Sequence, residues 1–145
     1  MPPVSAGILL HRDDGKVLLV HPGGPYWAKK DLGAWSIPKG EIEADEDPRT
    51  RALLEFHEET GTDLGDAETR ELGEVRLKSG KRVIAFAVRG DLDADAITSN
   101  TFEFEWPPRS GRRQAFPEVD RAAWFDLAEA KERINPAQAA FLERL

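Results

Sequence analysis

Residues 40–61 read GEIEADEDPRTRALLEFHEETG, and this stretch decides how the chain is to be read. Glu55, Glu58 and Glu59 are separated by steps of three and four residues, so on a helix they occupy neighbouring positions of one face. Ala52, Leu53 and Phe56 fall on another face and can pack inward. Asp47 can cap the helix, Pro48 suits its first position, and Gly61 suits the place just past its end. Three carboxylates this close repel one another. That cost is tolerable on a solvated acidic surface, or where divalent cations neutralise the cluster.

The intervals sharpen the reading. Gly40, Glu46, Glu55, Phe56, Glu58, Glu59 and Gly61, at these spacings, closely resemble the Nudix box, which would span residues 40–62. The resemblance implies a loop, a helix and a loop that bind Mg²⁺ or Mn²⁺ and hydrolyse a pyrophosphate linkage. It implies Glu55, Glu58 and Glu59 as metal ligands and catalytic residues, with the Gly40 carbonyl joining the metal shell. The preceding SIPKGE run is similar to the strand and turn that lead into such boxes, and it places Lys39 where it can reach a phosphate. Two positions depart from the pattern: Leu54 stands where the family usually has Arg, and Thr62 where it usually has an aliphatic residue. Without that Arg, Glu58 lacks a cation one turn away. Arg51 projects near both Glu55 and Glu58 and can stand in for it, or can be a plain surface residue.

Composition sets the outer limits. The 145 residues suit a single domain, 1–145, with one sizeable core. Forty per cent apolar content and four Trp argue for a folded globule. The sequence has no apolar run long enough for a membrane-spanning helix, no signal-peptide pattern and no Cys. Together these lead us to expect a cytoplasmic protein without disulfides, thiolate metal sites or a Cys nucleophile. A net charge of −7 argues against extensive contact with a nucleic-acid backbone, though not against a small polyanion.

Outward from the box, Val4–His11 and Lys16–His21 read as a hairpin around Asp13, Asp14 and Gly15. Ile8 and Leu10 alternate with Leu9, as in a central strand covered on both faces. The loop 21–34 holds Tyr26 and Trp27 beside Lys29 and Lys30. Trp27 can stack a base there, or can pin the loop as a buried anchor. Residues 70–78 and 81–89 read as strands joined by a two-residue turn at Ser79 and Gly80. Phe102, Phe104 and Trp106 alternate with Glu103 and Glu105, the pattern of a half-buried strand. The stretch from Pro107 to Pro117 reads as a loop, with Arg109, Arg112 and Arg113 as a phosphate clamp or a solvated face. A short strand, 122–125, and two helices, one capped by Asp126 and one opened by Pro136, close the chain.

Strands around one central helix, with helices at the end, fit an α/β fold with a mixed sheet, the Nudix α/β/α sandwich that the resemblance implies. The expected function is divalent-metal-dependent hydrolysis of a pyrophosphate linkage in a nucleotide, such as a diadenosine polyphosphate or a nucleoside triphosphate. The general base is Glu58 or a later carboxylate, Glu103, Glu105 or Glu118. The competing reading is a catalytically weak domain that binds or senses a nucleotide.

Overall fold

The computed structural model describes residues 3–145. Its main sheet is mixed, with strands β1 (Val4–His11), β2 (Val17–Pro22), β3 (Lys39–Glu41), β4 (Arg70–Arg76), β5 (Arg82–Arg89) and β8 (Val119–Phe125). The order is β4-β5-β1-β2-β8, with β3 also paired to β1. Among the strands of the described residues only β1 and β5 run parallel, in register from Val4 opposite Arg82 to His11 opposite Arg89. Parallel neighbours need a long crossover, and the chain between them carries helix α1 (Pro48–Thr60). Helices α2 (Leu127–Arg133) and α3 (Ala139–Arg144) close the chain. Strands β6 (Thr101–Glu105) and β7 (Arg113–Pro117) form a separate two-stranded ribbon.

The alternation in β1 works as the sequence suggests. Ile8 and Leu10 join Leu18, Val88, Ala52 and Phe56 in a core beneath α1. Leu9 faces the opposite core, with Leu19, Val83, Trp35, Ile134 and Phe141, beneath α2 and α3. Helices thus cover both faces, giving the α/β/α sandwich. Each fully buried aliphatic or aromatic side chain contributes about 1.5–3 kcal/mol, so the two cores clamp the sheet between its helices. Among the described residues, no helix is long and apolar enough to cross a membrane.

Three expectations need correction. The β4–β5 connection is residues 77–81, five residues rather than two. Leu77 and Lys81 close it through an N–H···O bond of 2.7 Å, and Gly80 donates back to Leu77 at 2.9 Å. Residues 102–105 do form a strand, but its aromatic side is not the buried half expected, because β6 belongs to an outlying ribbon where Phe104 is 41% exposed and Trp106 lies beyond the strand's end. Arg113–Pro117 is strand rather than loop, paired residue by residue with β6.

Candidate active site

Helix α1 begins and ends where its caps dictate. The Asp47 carboxylate accepts from the Thr50 N–H at 3.1 Å, satisfying a donor of the open first turn. Gly61 adopts a left-handed φ of 80° and returns its N–H to the His57 carbonyl at 2.8 Å. Two carbonyls of the last turn are satisfied from outside the helix: Thr98 donates to Thr60 and Asn100 to Glu58, each at 3.0 Å. The segment 98–100 is thereby laid across the helix end. Asn100 in turn accepts from the Glu118 N–H at 2.9 Å, which brings Glu118 to the same place.

The result is an acidic cavity of about 450 Å³. One wall is Glu55, Glu58 and Glu59 from α1, a second is Lys39, Gly40 and Glu41 from β3, and Asn100 and Glu118 complete it. Gly40 is required by contact. A Cβ there would lie 2.0 Å from the Glu55 carboxyl carbon, so only glycine lets that carboxylate lie against the strand. The approach to β3 is held by the Val20–Ser36 bridge and by buried Gln138, which accepts from the Ile37 N–H at 3.1 Å.

Burial dominates the electrostatics. It pushes the Glu59 carboxyl up to about 8, with the charges of Glu55 and Glu118 adding to the effect and Lys39 opposing it. Glu59 Oε2 is buried without a hydrogen-bond partner. Burial also raises Glu55, against the hydrogen bond from Arg51, and lowers the Lys39 ammonium, against the pull of Glu59. Arg51 binds Glu46 at 2.7 Å and Glu55 at 2.9 Å, so it steadies the first glutamate of the cluster rather than Glu58. Leu54 faces outward and is 41% exposed.

The donor set suits a hard divalent cation: several carboxylates, one of them with a buried oxygen lacking a partner. Among the described residues the glutamates line the wall, and no three of them close on one point as a preformed cage.

The remaining candidates separate. Glu118 lines the cavity, whereas Glu103 and Glu105 lie on the ribbon. Glu103 pairs with Arg113 at 3.3 Å, and Glu105 accepts from the Arg109 backbone N–H at 2.9 Å. Arg109 and Arg112 lie in the ribbon's turn, and Arg113 faces Glu105 across its outer end. At about 3.4 Å per residue, that end is about 17 Å of strand from Asn100. Trp27 does not enter the acidic cavity. It lines an aromatic cleft of about 280 Å³ with Tyr26, Phe102 and Phe104. The loop bearing it is pinned by buried His21, whose Nε2–H donates to the Lys30 carbonyl at 2.6 Å and whose Nδ1 meets Asp120 at 2.9 Å. Asn100 and Glu41 escaped the sequence reading. Glu41 sits inside the box beside Gly40 but at none of its signature positions, and Asn100 lies in no motif; only the pairing of β3 and the crossing at the helix end bring them in.

An acidic cavity at the C-terminal turns of a helix, set in an α/β/α sandwich with a mixed sheet, defines the class of fold to which the chain belongs. The NUDIX domain family model matches residues 1–145. The chain therefore belongs to the Nudix family, a family of hydrolases that act on phosphoric anhydrides and generally need divalent metals. It is similar to a MutT-like protein of Streptomyces ambofaciens, at 26% identity over 94% of this chain and 71% of that one. It is also similar to the RNA pyrophosphohydrolase of Rhodospirillum rubrum, at 39% identity over 64 residues, covering 42% of this chain and only 39% of that relative. Among solved structures, the C. elegans Ap4A hydrolase in a binary complex superposes with a TM-score of 0.66 at 15% identity, covering 97% of this chain and 93% of that one. The NUDIX domain of Shewanella oneidensis NrtR, complexed with ADP ribose, superposes with a TM-score of 0.67 at 18% identity, covering 99% and 86%. These two likenesses concern the fold.

Proposed function

We propose that this chain hydrolyses a pyrophosphate linkage in a nucleotide, with Mg²⁺ or Mn²⁺ held by Glu55, Glu58, Glu59 and the Gly40 carbonyl. The observation that carries the reading is the buried, unpartnered Glu59 Oε2 within a wall of glutamates fitted against Gly40. Leaving such an oxygen without a partner costs stability, and a cation removes that cost. A divalent ion bound there would polarise the phosphoryl oxygens and lower the pKa of a coordinated water. Arg51 keeps the Glu55 carboxylate in place. Lys39, recessed in the same cavity, offers positive charge to a phosphate oxygen. Glu118, which lines the cavity from the junction of β7 and β8, is our choice for the group that accepts a proton from the attacking water, with Glu58 as the alternative. The basic ribbon end favours a substrate with a long phosphate chain, a dinucleoside polyphosphate before a nucleoside triphosphate.

The test is a nucleotide panel with Mg²⁺ or Mn²⁺ and product identification by mass. A second reading, a nucleotide sensor, is favoured by the Leu54 position, since Arg51 is committed to Glu46 and Glu55 rather than Glu58. Nucleotide binding with no product formed at either metal would select it.

A further inference from the structure

The aromatic cleft and the acidic cavity share their frame. Gly23, in the cleft, donates to the Glu118 carbonyl at 2.9 Å, and Glu118 lines the cavity. Phe102, in the cleft, follows two residues after Asn100, which lines the cavity. Two residues of extended chain span about 7 Å, so a group in the cleft lies about one sugar's length from the acidic wall. The cleft is walled on one side by Tyr26 and Trp27, meeting edge to face at 5.1 Å, and on the other by Phe102 and Phe104, at 6.3 Å. Its volume, about 280 Å³, lies just below that of pockets that enclose whole ligands. It has room for one planar group.

What the lining lacks is equally informative. Among the described residues no carboxylate, amide or guanidinium side chain lines the cleft; its polar side-chain groups are the Tyr26 hydroxyl and the Trp27 indole N–H, and the Lys30 ammonium lies over the Tyr26 and Trp27 rings at 3.8 and 5.1 Å. Strong discrimination between bases requires buried polar groups matched to a base edge. Stacking on aromatic rings does not discriminate in this way, because every base has a π-face.

We propose that this cleft holds the base of the nucleotide by stacking alone, so that the protein selects substrates by their phosphate chain and accepts any base. The proposal rests on the pyrophosphohydrolase reading for its substrate class. The neutral ring suits the site: the base is the uncharged end of the substrate, and it is placed in an apolar cleft beside a cavity reserved for the phosphates and their cation.

Neutral nucleosides test this without catalysis, because they bring no phosphate into the acidic cavity. In chelated protein, adenosine, guanosine, cytidine and uridine are titrated by NMR against the Trp27 indole N–H signal, with ribose as control. All four nucleosides should bind within about tenfold of one another, purines tighter, and ribose should not shift the signal. Phe104→Ala and Phe104→Leu should each weaken adenosine by about five- to 100-fold. The Leu variant keeps an apolar side chain on the ribbon and so separates stacking from folding. Equal binding of ribose, a preference for one base beyond about 100-fold, or adenosine binding unchanged in both variants would overturn the proposal. So would a cleft closed by a second copy of the chain, seen as a dimer that Phe104→Ala dissociates and adenosine does not enter. Hydrolysis of nucleotides without base binding defeats this inference alone, while base binding without hydrolysis under any metal defeats the enzymatic reading alone.

Discussion

The acidic cavity and the β6–β7 ribbon meet at Asn100 and Glu118, yet they are built in opposite ways. The cavity stands on a helix capped at both ends, braced against the sheet, with a glycine fitted to a carboxylate. The ribbon is two strands in a sheet of their own, with Phe104 and Trp106 stacked in the open and its ion pair, Arg113 with Glu103, largely exposed. Two strands alone are marginally stable, and exposed ion pairs contribute little. The difference teaches a division of labour. The glutamates assigned to the metal stand on a helix fixed at both ends, with Glu55 held by Arg51, and the arginines assigned to the far phosphates sit on an adaptable arm. Changes in the cavity should therefore act abruptly, and changes on the ribbon by degrees.

Among changes that leave every glutamate of the cavity in place, Gly40→Ala should have the largest effect. The new methyl has nowhere to go but into the Glu55 carboxyl, and a displacement of an ångström in a reacting constellation costs about 100-fold. Steady-state turnover with Mg²⁺ is the measurement. Near-normal turnover would mean that the cavity is as pliable as the ribbon.

The second prediction concerns pH in chelated protein. Glu59 is held at about 8 in the fold, against about 4.3 when unfolded. Between those values the folded state binds more protons, so stability must fall as pH rises through that window, by on the order of a few kcal/mol. Lys39, lowered by burial, works the other way at the alkaline end. Thermal melts from pH 5 to 8 should show the decline, and Glu59→Gln should flatten it. An equal slope in the mutant would remove Glu59 as its cause.

Much of the cavity was legible in the sequence because its determinants are local. Asp47, Pro48 and Gly61 set the limits of α1, and steps of three and four aligned its glutamates. The buried core of the helix, Ala52 and Phe56, followed from the same periodicity. The ribbon was not legible. RQAFP, residues 113–117, carries Arg and Pro and has no apolar alternation, so it reads as loop until β6 lies beside it. Glu103, Glu105 and Glu118 were equivalent as sequence, and only the crossing of residues 98–100 over the helix end singles out Glu118. Leu54 marked a missing cation, and Arg51 was a sound candidate to replace it. That it would take Glu46 and Glu55, leaving Glu58 aside, depended on where the loop before the helix folds back.

Arg51 supplies the third prediction. Arg51→Ala should lower activity about tenfold, one charge-assisted hydrogen bond's worth of positioning for Glu55. Arg49 instead ties the following connector, donating to Thr69 at 2.9 Å and to the Ala67 carbonyl at 3.0 Å. Arg49→Ala should lower the melting temperature more than it lowers turnover. Equal losses of activity in the two variants would leave Leu54 an uncompensated departure.

The smallest effect belongs to the ribbon. Arg112→Ala and Arg113→Ala should reduce kcat/KM by a few-fold, through KM, and the loss should grow from nucleoside di- to tri- to tetraphosphate substrates, because a short chain cannot reach from the helix to the ribbon's outer end. A loss equal at every length would point to a general electrostatic effect, and no loss would make this end a solvated turn.

The claim on which the rest depends is that the glutamate wall of α1 supports metal-dependent pyrophosphate hydrolysis. The direct measurement is product formation from a nucleotide panel, identified by mass, for the unaltered protein and Glu58→Gln, each with Mg²⁺ and with excess chelator. Expected are phosphoanhydride cleavage products only with the metal, and turnover lower by orders of magnitude in a Glu58→Gln protein that melts normally. Activity in excess chelator, or undiminished turnover in the variant, would contradict it.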